Sequence, residues 1–179
     1  MGLEPDPEAA IVARQSGLPV THAVLEETTF PDETFDAITL HHVVEHLHDP
    51  VDTLQICQKI LRPGGLISVI TPNFRSRGSV IFKRNWYPLQ PPFHLVIFTE
   101  NSLRGALERA GFQESVVHAS SFVAESIFSA SAKLAAESGA TSQEAWQWRI
   151  HGKLANIMVY LRSDWSEEVV MTARKSVQR

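Results

Sequence analysis

The chain has 179 residues, a formal net charge of -4 at neutral pH and a single cysteine. This length suits one domain with one core, and the acidic balance argues against nucleic acid or an anionic membrane surface as the main partner. One cysteine excludes an internal disulfide. The first residues lack the basic and apolar regions of a signal peptide, and no apolar run is long enough to span a membrane. We therefore expect a cytoplasmic protein with no membrane partner.

The first predicted elements are short. Asp6 and Pro7 are typical of a helix start and Gly17 of a helix end, which predicts a helix over residues 7–16. A short strand is predicted next, at residues 20–25.

The middle of the chain carries the clearest pattern. Residues 36–40 are short, apolar and β-branched, as in a strand that is buried on both faces. Asp49 and Pro50 then begin a helix, and the turn at residues 62–65 ends it before a second buried strand at residues 66–71. This order of strand, helix and strand predicts one repeat of a mostly parallel α/β sheet.

Ligands of open α/β sheets bind beyond the carboxyl ends of the strands. Two predicted loops lie there, at residues 41–48 and 72–92, and the first contains four histidines. Residues 75–92 are irregular and rich in arginine, aromatic residues and proline, which is typical of a lid or substrate loop.

The remainder of the chain predicts helices and two further strands. Thr99 begins a helix that ends at Gly111, and a later helix is opened by the capping box Thr141…Glu144. The predicted bounds are helices 99–111, 122–137 and 141–162 and strands 114–118 and 167–175.

Three segments, FDAITLHHVVEHLHDP, LRPGGLISVITPN and PPFHLVIFTENSLRGALERAGF, carry a family resemblance in their order and spacing. Together they resemble the C-terminal part of a class I S-adenosylmethionine-dependent methyltransferase, in the group that includes the ubiquinone-biosynthesis O-methyltransferases. The resemblance implies an α/β fold with a Rossmann-like sheet, mostly parallel with an antiparallel last strand. It also implies S-adenosylmethionine as the cofactor and a small molecule as the methyl acceptor.

The family's glycine-rich turn after the first strand has no counterpart, because the chain contains no G-x-G-x-x-G or similar run. The resemblance therefore implies a single domain over residues 1–179 that is N-terminally truncated, lacks the first strand and first helix, and has a helical insertion at about 122–162. In the family the first strand lies between the second and the fourth. Its absence would expose the edge of the strand at 36–40, which we expect a second copy in a homodimer, or residues 18–25, to cover.

The resemblance implies five cofactor contacts, and each has a structural alternative. Glu4 would hydrogen-bond the ribose hydroxyls, or else serve as an acidic residue before the first helix. Val24, Leu25 and Glu26 would lie along the adenine, or else form an ordinary strand end. His41 would contact the methionine part of the cofactor, or else be a structural histidine.

Three histidines are candidate catalytic residues by the same resemblance: His42, His46 and His94. Residues 42–46 match H-x-x-E-H, a zinc signature, but that motif needs one helix and no third ligand is apparent, so we expect no metal. Glu45 and His46 are interpreted as bracing the loop by hydrogen bonds. His94 is either a general base or a structural residue, and Trp86 is a candidate for the wall of the acceptor pocket.

Two classes of function follow from these patterns. The first is an S-adenosylmethionine-dependent methyltransferase, for which this chain would bind the cofactor weakly or not at all without the glycine-rich turn. The second is a non-catalytic methyltransferase-like domain that serves interaction or regulation, since a fold does not guarantee an activity.

Overall fold

The structure is a computed structural model that describes residues 1–139 and 145–177. Within these ranges the chain forms six β-strands and six α-helices. The strands are β1 Gly2–Glu4, β2 Val20–His22, β3 Phe35–His41, β4 Leu61–Pro72, β5 Phe112–His118 and β6 Glu168–Lys175. The helices are α1 Pro7–Gln15, α2 Pro50–Ile60, α3 Arg77–Phe82, α4 Glu100–Arg109, α5 Ala124–Glu137 and α6 Ala145–Met158.

The main sheet has four strands in the order β3-β4-β6-β5. Strands β3 and β4 are parallel neighbours, with Ala37 opposite Leu66 and His41 opposite Ile70. Strand β6 is antiparallel to both β4 and β5, so β3, β4 and β5 all run in one direction. This arrangement confirms the predicted mostly parallel sheet with an antiparallel last strand.

The elements around β4 form for local reasons that the sequence already indicates. The Asp49 side chain caps α2 by accepting hydrogen bonds from the backbone N–H groups of Val51 and Asp52, both at 3.1 Å. Phe35 pairs with Leu61 but Ala37 pairs with Leu66, so residues 62–65 bulge out of the ladder. The chain thereby leaves α2 and enters β4 directly beside β3.

The main core lies between this sheet and helices α2 and α4. Its largest fully buried side chains include Leu54, Leu61, Ile67, Leu103 and Met171. Cys57 is also fully buried there, and burial raises the pKa of its thiol to about 12. The thiol is therefore a packing group rather than a nucleophile.

Strands β1 and β2 form a separate parallel pair, with Leu3 opposite Thr21. Among the described residues, no backbone hydrogen bond joins this pair to β3, whose second edge has no strand partner. Residues 20–22 pair with β1, so the expectation that residues 18–25 cover the β3 edge is wrong. Cover by a second copy stays a prediction.

Helices α5 and α6 pack against each other beside α3 and enclose a second apolar cluster around Phe82, Trp86 and Phe128. The predicted helix at 122–137 is confirmed as α5, and α6 lies within the second predicted helix. The predicted capping box at Thr141 and Glu144 lies outside the described residues. No helix in the described part of the chain is both long and apolar enough to cross a membrane.

Candidate functional site

The carboxyl ends of β3 and β4 carry four of the predicted site residues. His41 ends β3, and His42 and His46 follow in the loop that leads to α2. The segment at residues 74–95 leaves the end of β4 and returns to this loop, where the backbone N–H of Leu95 donates to the carbonyl of Glu45 at 2.8 Å. This return places His94 beside His46, with their ring centroids 4.7 Å apart.

His42 lies between two buried carboxylates. Its Nδ1 donates to Glu45 Oε1 at 2.9 Å and its Nε2 donates to Glu168 Oε1 at 3.0 Å. Glu45 also accepts a hydrogen bond from Thr71 Oγ1 at 2.9 Å, and Glu168 accepts one from Ser120 Oγ at 2.9 Å. A φ of +51° at His42 turns the chain out of β3, so the side chain joins the β3 loop to the start of β6.

This network favours a protonated imidazole. The hydrogen bond to Glu168, followed by that to Glu45, raises the pKa of His42 from 6.5 to about 9. Burial would raise the pKa of both carboxyls, but the hydrogen bonds that they accept, that from His42 foremost, hold both pKa values below the ordinary value. At neutral pH the site therefore contains an imidazolium between two carboxylates.

His46 and His94 differ from His42 because one ring nitrogen of each is hydrogen-bonded to a backbone carbonyl. His46 Nδ1 lies 3.0 Å from the carbonyl oxygen of Phe93, and His94 Nδ1 lies 2.6 Å from that of Pro88. A carbonyl oxygen can only accept, so Nδ1 carries the proton in both rings. In the neutral rings, Nε2 is then left with a lone pair.

Two groups of side chains at this edge have the donor atoms of a metal site. In each group the potential ligand atoms lie within 4.8 Å of one another: His41, His42 and Glu168 form one, and Glu45, His46 and His94 form the other. The proton that His42 shares with the carboxylates would compete with a cation. The absence of a metal stays a prediction.

Four of the predicted cofactor residues lie outside β3, in the N-terminal part of the chain: Glu4, Val24, Leu25 and Glu26. Glu4 ends β1, where its Oε1 accepts from the backbone N–H of Asp6 at 2.9 Å, and its second oxygen has no hydrogen-bond partner within residues 1–139 and 145–177. Val24 precedes a 3₁₀ helix at Leu25–Glu27. Leu25 packs against the main core, and the Glu26 carboxylate accepts a hydrogen bond from Thr53 of α2.

Taken one at a time, these residue types suit parts of S-adenosylmethionine. A free carboxylate oxygen on Glu4 suits a ribose diol, and His41 is exposed at the end of β3. The described residues offer no backbone cradle built from closely spaced glycines. Glu4 and His41 therefore suit the ribose and the methionine part of the cofactor. The glycine turn that the family uses has no counterpart among the described residues.

The sequence interpretation missed two glutamates at the start of β6. Glu167 and Glu168 are 1% and 7% exposed, and both accept hydrogen bonds from the segments around the site. The sequence contained a signal for them: two consecutive acidic residues begin a buried, β-branched strand. Buried carboxylates need hydrogen-bond donors, so such a pair indicates contacts with other segments. The expectation for Trp86 is wrong: it is 1% exposed and its indole donates to Glu167.

The fold and the position of the site define the class of protein as a Rossmann-like α/β domain. A profile of the family described as a methyltransferase domain matches residues 2–119. The chain therefore belongs to this methyltransferase domain family.

Individual relatives agree with the family. A protein of Mycolicibacterium smegmatis named a probable S-adenosylmethionine-dependent methyltransferase is 32% identical over 105 residues, which are 59% of this chain and 39% of that protein. A ubiquinone biosynthesis O-methyltransferase of Dinoroseobacter shibae is 30% identical over 115 residues, which cover 60% of this chain and 46% of the relative. The chain thus spans less than half the length of these two curated relatives.

A solved structure shows the same fold. The crystal structure of a methyltransferase from Thermotoga maritima, described as a possible histamine N-methyltransferase, aligns with a TM-score of 0.65 at 18% identity. The alignment covers 98% of this chain and 72% of that chain. The family, the named relatives and the fold support S-adenosylmethionine as the cofactor.

Proposed function

We propose that this chain carries the acceptor side of an S-adenosylmethionine-dependent methyltransferase that acts on a small molecule. The observation that supports this most directly is the pair His46 and His94. Both rings lie beyond the carboxyl ends of the parallel strands, with Nδ1 on a backbone carbonyl and no hydrogen bond to Nε2 within residues 1–139 and 145–177. The alternative, a silent methyltransferase-like domain, requires no such free bases.

The roles of the cofactor residues follow from their positions. Bound S-adenosylmethionine supplies an electrophilic methyl group on a sulfonium. Glu4 would hold the ribose hydroxyls, Val24, Leu25 and Glu26 would lie along the adenine, and His41 would lie beside the methionine part. These residues bind and orient, and none of them needs to change its protonation state.

The acceptor must lose a proton when its oxygen or nitrogen gains a methyl group. His94 would take that proton on Nε2, because the carbonyl of Pro88 already holds the proton on Nδ1. His46 lies edge-on to this ring at 4.7 Å and can orient the acceptor hydroxyl. His42 has both nitrogens occupied, so we propose that it positions the loop through Glu45 rather than accepting the proton.

Methyl transfer can be tested with a catechol as the probe acceptor. The named ubiquinone biosynthesis relative is an O-methyltransferase, and a hydroxyl group loses its proton when its oxygen is methylated. Purified chain would be incubated with 3,4-dihydroxybenzoate and a high concentration of methyl-labelled S-adenosylmethionine, because binding without the glycine-rich turn is expected to be weak, and labelled product would be measured. We expect product with the unaltered chain and roughly a 100-fold lower rate with His94→Gln, the usual range for loss of a general base.

A matched control is His151→Gln, since His151 is exposed on α6 and is not among the residues at the carboxyl ends of β3 and β4. This variant should keep the rate of the unaltered chain. Equal rates for His94→Gln and the unaltered chain would remove His94 from the mechanism. No labelled product from the unaltered chain at any tested concentration would favour the silent domain.

A further inference from the structure

Glu167 is a buried carboxylate that the reaction outlined above does not use. It is 1% exposed and immediately precedes β6. Three donors meet its two oxygens: the backbone N–H of Gly78 at 2.7 Å on Oε1, and Ser76 Oγ and Trp86 Nε1, both at 3.0 Å on Oε2. All three donors belong to the segment at residues 74–95.

The backbone around Glu167 is tied to Asn73, the residue that immediately precedes this segment. Its carbonyl accepts from the N–H of Asn73 at 2.9 Å. The Asn73 side chain donates to the carbonyl of Ser166 at 2.8 Å. The junction between the end of β4 and the start of β6 is therefore closed by side-chain and backbone hydrogen bonds together.

Gly78 shows how closely the two parts approach. A Cβ added at Gly78 would lie 2.5 Å from Glu167 Oε2 and 3.0 Å from Oε1. Any larger residue would have to displace the carboxylate, which has little room because it is buried. The start of α3 thus packs directly onto the Glu167 carboxylate.

Two hydrogen bonds and a two-residue stretch of backbone connect this carboxylate to His94. The Glu167 oxygen holds the indole of Trp86, and two residues later the carbonyl of Pro88 accepts the Nδ1 proton of His94. Between them, the N–H of Tyr87 donates to Ser131 Oγ at 2.8 Å, which fixes the same stretch from the side of α5. The orientation of the His94 ring therefore depends on where Trp86 is held.

We propose that Glu167 is a positioning residue: it anchors the segment at residues 74–95 to the sheet through Trp86, Gly78 and Ser76, and so orients the His94 imidazole. The catalytic consequence rests on the proposed methyl transfer, whereas the anchoring does not. Glu167 touches neither cofactor nor acceptor in this role.

The chemistry of the donors makes the carboxylate hard to replace. The Gly78 N–H and the Trp86 indole N–H can only donate, and they approach different oxygens of Glu167. In Glu167→Gln one of these oxygens becomes an NH₂ group, so one obligate donor must face another donor. Replacing Trp86 by phenylalanine removes the indole donor, so the double variant Trp86→Phe with Glu167→Gln relieves that conflict.

The test is amide hydrogen exchange on the whole chain, with Glu108→Gln, at an exposed residue of α4, as the matched control. Glu167→Gln should raise exchange within residues 76–95 by roughly tenfold or more and leave residues 100–118 unchanged. The double variant should recover part of that protection. Unchanged exchange at 76–95, or an equal rise throughout the chain, would overturn the anchoring.

A second readout follows the His94 ring itself. The ¹⁵N shifts of His94 should report a fixed Nδ1–H tautomer in the unaltered chain and a mixture of tautomers in Glu167→Gln. With 3,4-dihydroxybenzoate as the probe, Glu167→Gln should lower kcat about tenfold and leave the KM for S-adenosylmethionine unchanged. If the unaltered chain transfers no methyl group, the proposed function fails, while exchange and the ring shifts still decide the anchoring.

Discussion

Replacing Gly152 with alanine is expected to lower the free energy of unfolding by about 2–3 kcal/mol, the cost of overpacking a tight contact. Gly152 is buried on α6 where that helix crosses α5. A Cβ there would lie 2.5 Å from Glu125 Cα, 2.8 Å from the carbonyl oxygen of Ala124 and 2.9 Å from Glu125 N. These are backbone atoms, so no side-chain rotation relieves the clash and the helices must separate.

Urea unfolding of the two chains measures this difference, and Gly105→Ala is the matched control. Gly105 lies in the middle of α4, and a Cβ there would meet nothing within 4 Å. Alanine should therefore stabilise α4 by about 0.5–1 kcal/mol through its higher helix propensity. A Gly152→Ala chain that is as stable as the unaltered chain would mean that α5 and α6 do not cross at this position.

Replacing His42 with glutamine is expected to cost about 2 kcal/mol at neutral pH, a value reduced from that of fully buried pairs because the His42 side chain is 41% exposed. Glu45 and Glu168 would lose the cation that lies between them, and both are almost completely buried. Their pKa values should rise in the variant, because burial then acts without the opposing hydrogen bonds from His42.

The pH dependence of this loss gives a sharper test. The pKa of His42 is 6.5 in an unfolded chain and about 9 in the folded one, so folding favours the protonated ring. The stabilisation is complete below pH 6.5 and is lost as the pH rises through about 9. The difference in unfolding free energy between the unaltered chain and His42→Gln should therefore shrink across this interval.

His41→Gln is the appropriate comparison, since His41 is exposed and stacks on His42 with ring centroids 4.8 Å apart. It should change stability by less than about 0.5 kcal/mol, as surface substitutions usually do. A difference between the unaltered chain and His42→Gln that stays constant with pH would show that His42 is not the titrating group.

The main sheet could be predicted because its information is local. Residues 36–40 and 66–71 are apolar and β-branched, and a capped helix with a proline-glycine turn joins them, which leaves a parallel crossover as the natural solution. The structure confirms the pairing of β3 with β4. The resemblance to methyltransferases added the antiparallel last strand, which composition alone does not indicate.

The N-terminal strand was predicted less well. Residues 20–25 were expected to form one strand, but β2 ends at His22 and a 3₁₀ helix follows at Leu25–Glu27. Leu25 packs onto the main core and Thr53 donates to Glu26. Tertiary contacts with α2 thus override the extended preference of this short run.

The contacts that hold the site together could not be predicted from a single sequence. His42 and Glu168 are 126 residues apart, and Trp86 and Glu167 are 81 apart. No local period relates such residues, and each member alone has an ordinary structural explanation. The basic and irregular sequence around Trp86 predicts a place in an acceptor pocket. In the structure its indole N–H instead donates to Glu167, the buried carboxylate that precedes β6.

The most direct test of the account is an NMR titration of the chain with S-adenosylmethionine, which detects even millimolar binding. Bound S-adenosylmethionine should shift the amide signals of His41 to His46 and of His94, beyond the carboxyl ends of β3 and β4, together with those of Glu4 and residues 24–26. The competing location is an open cavity of about 740 Å³ beside α5, lined by residues that include Phe122, Glu125 and Arg149. Shift changes confined to that cavity, or no changes at saturating S-adenosylmethionine, would contradict a methyltransferase site at the end of the parallel strands.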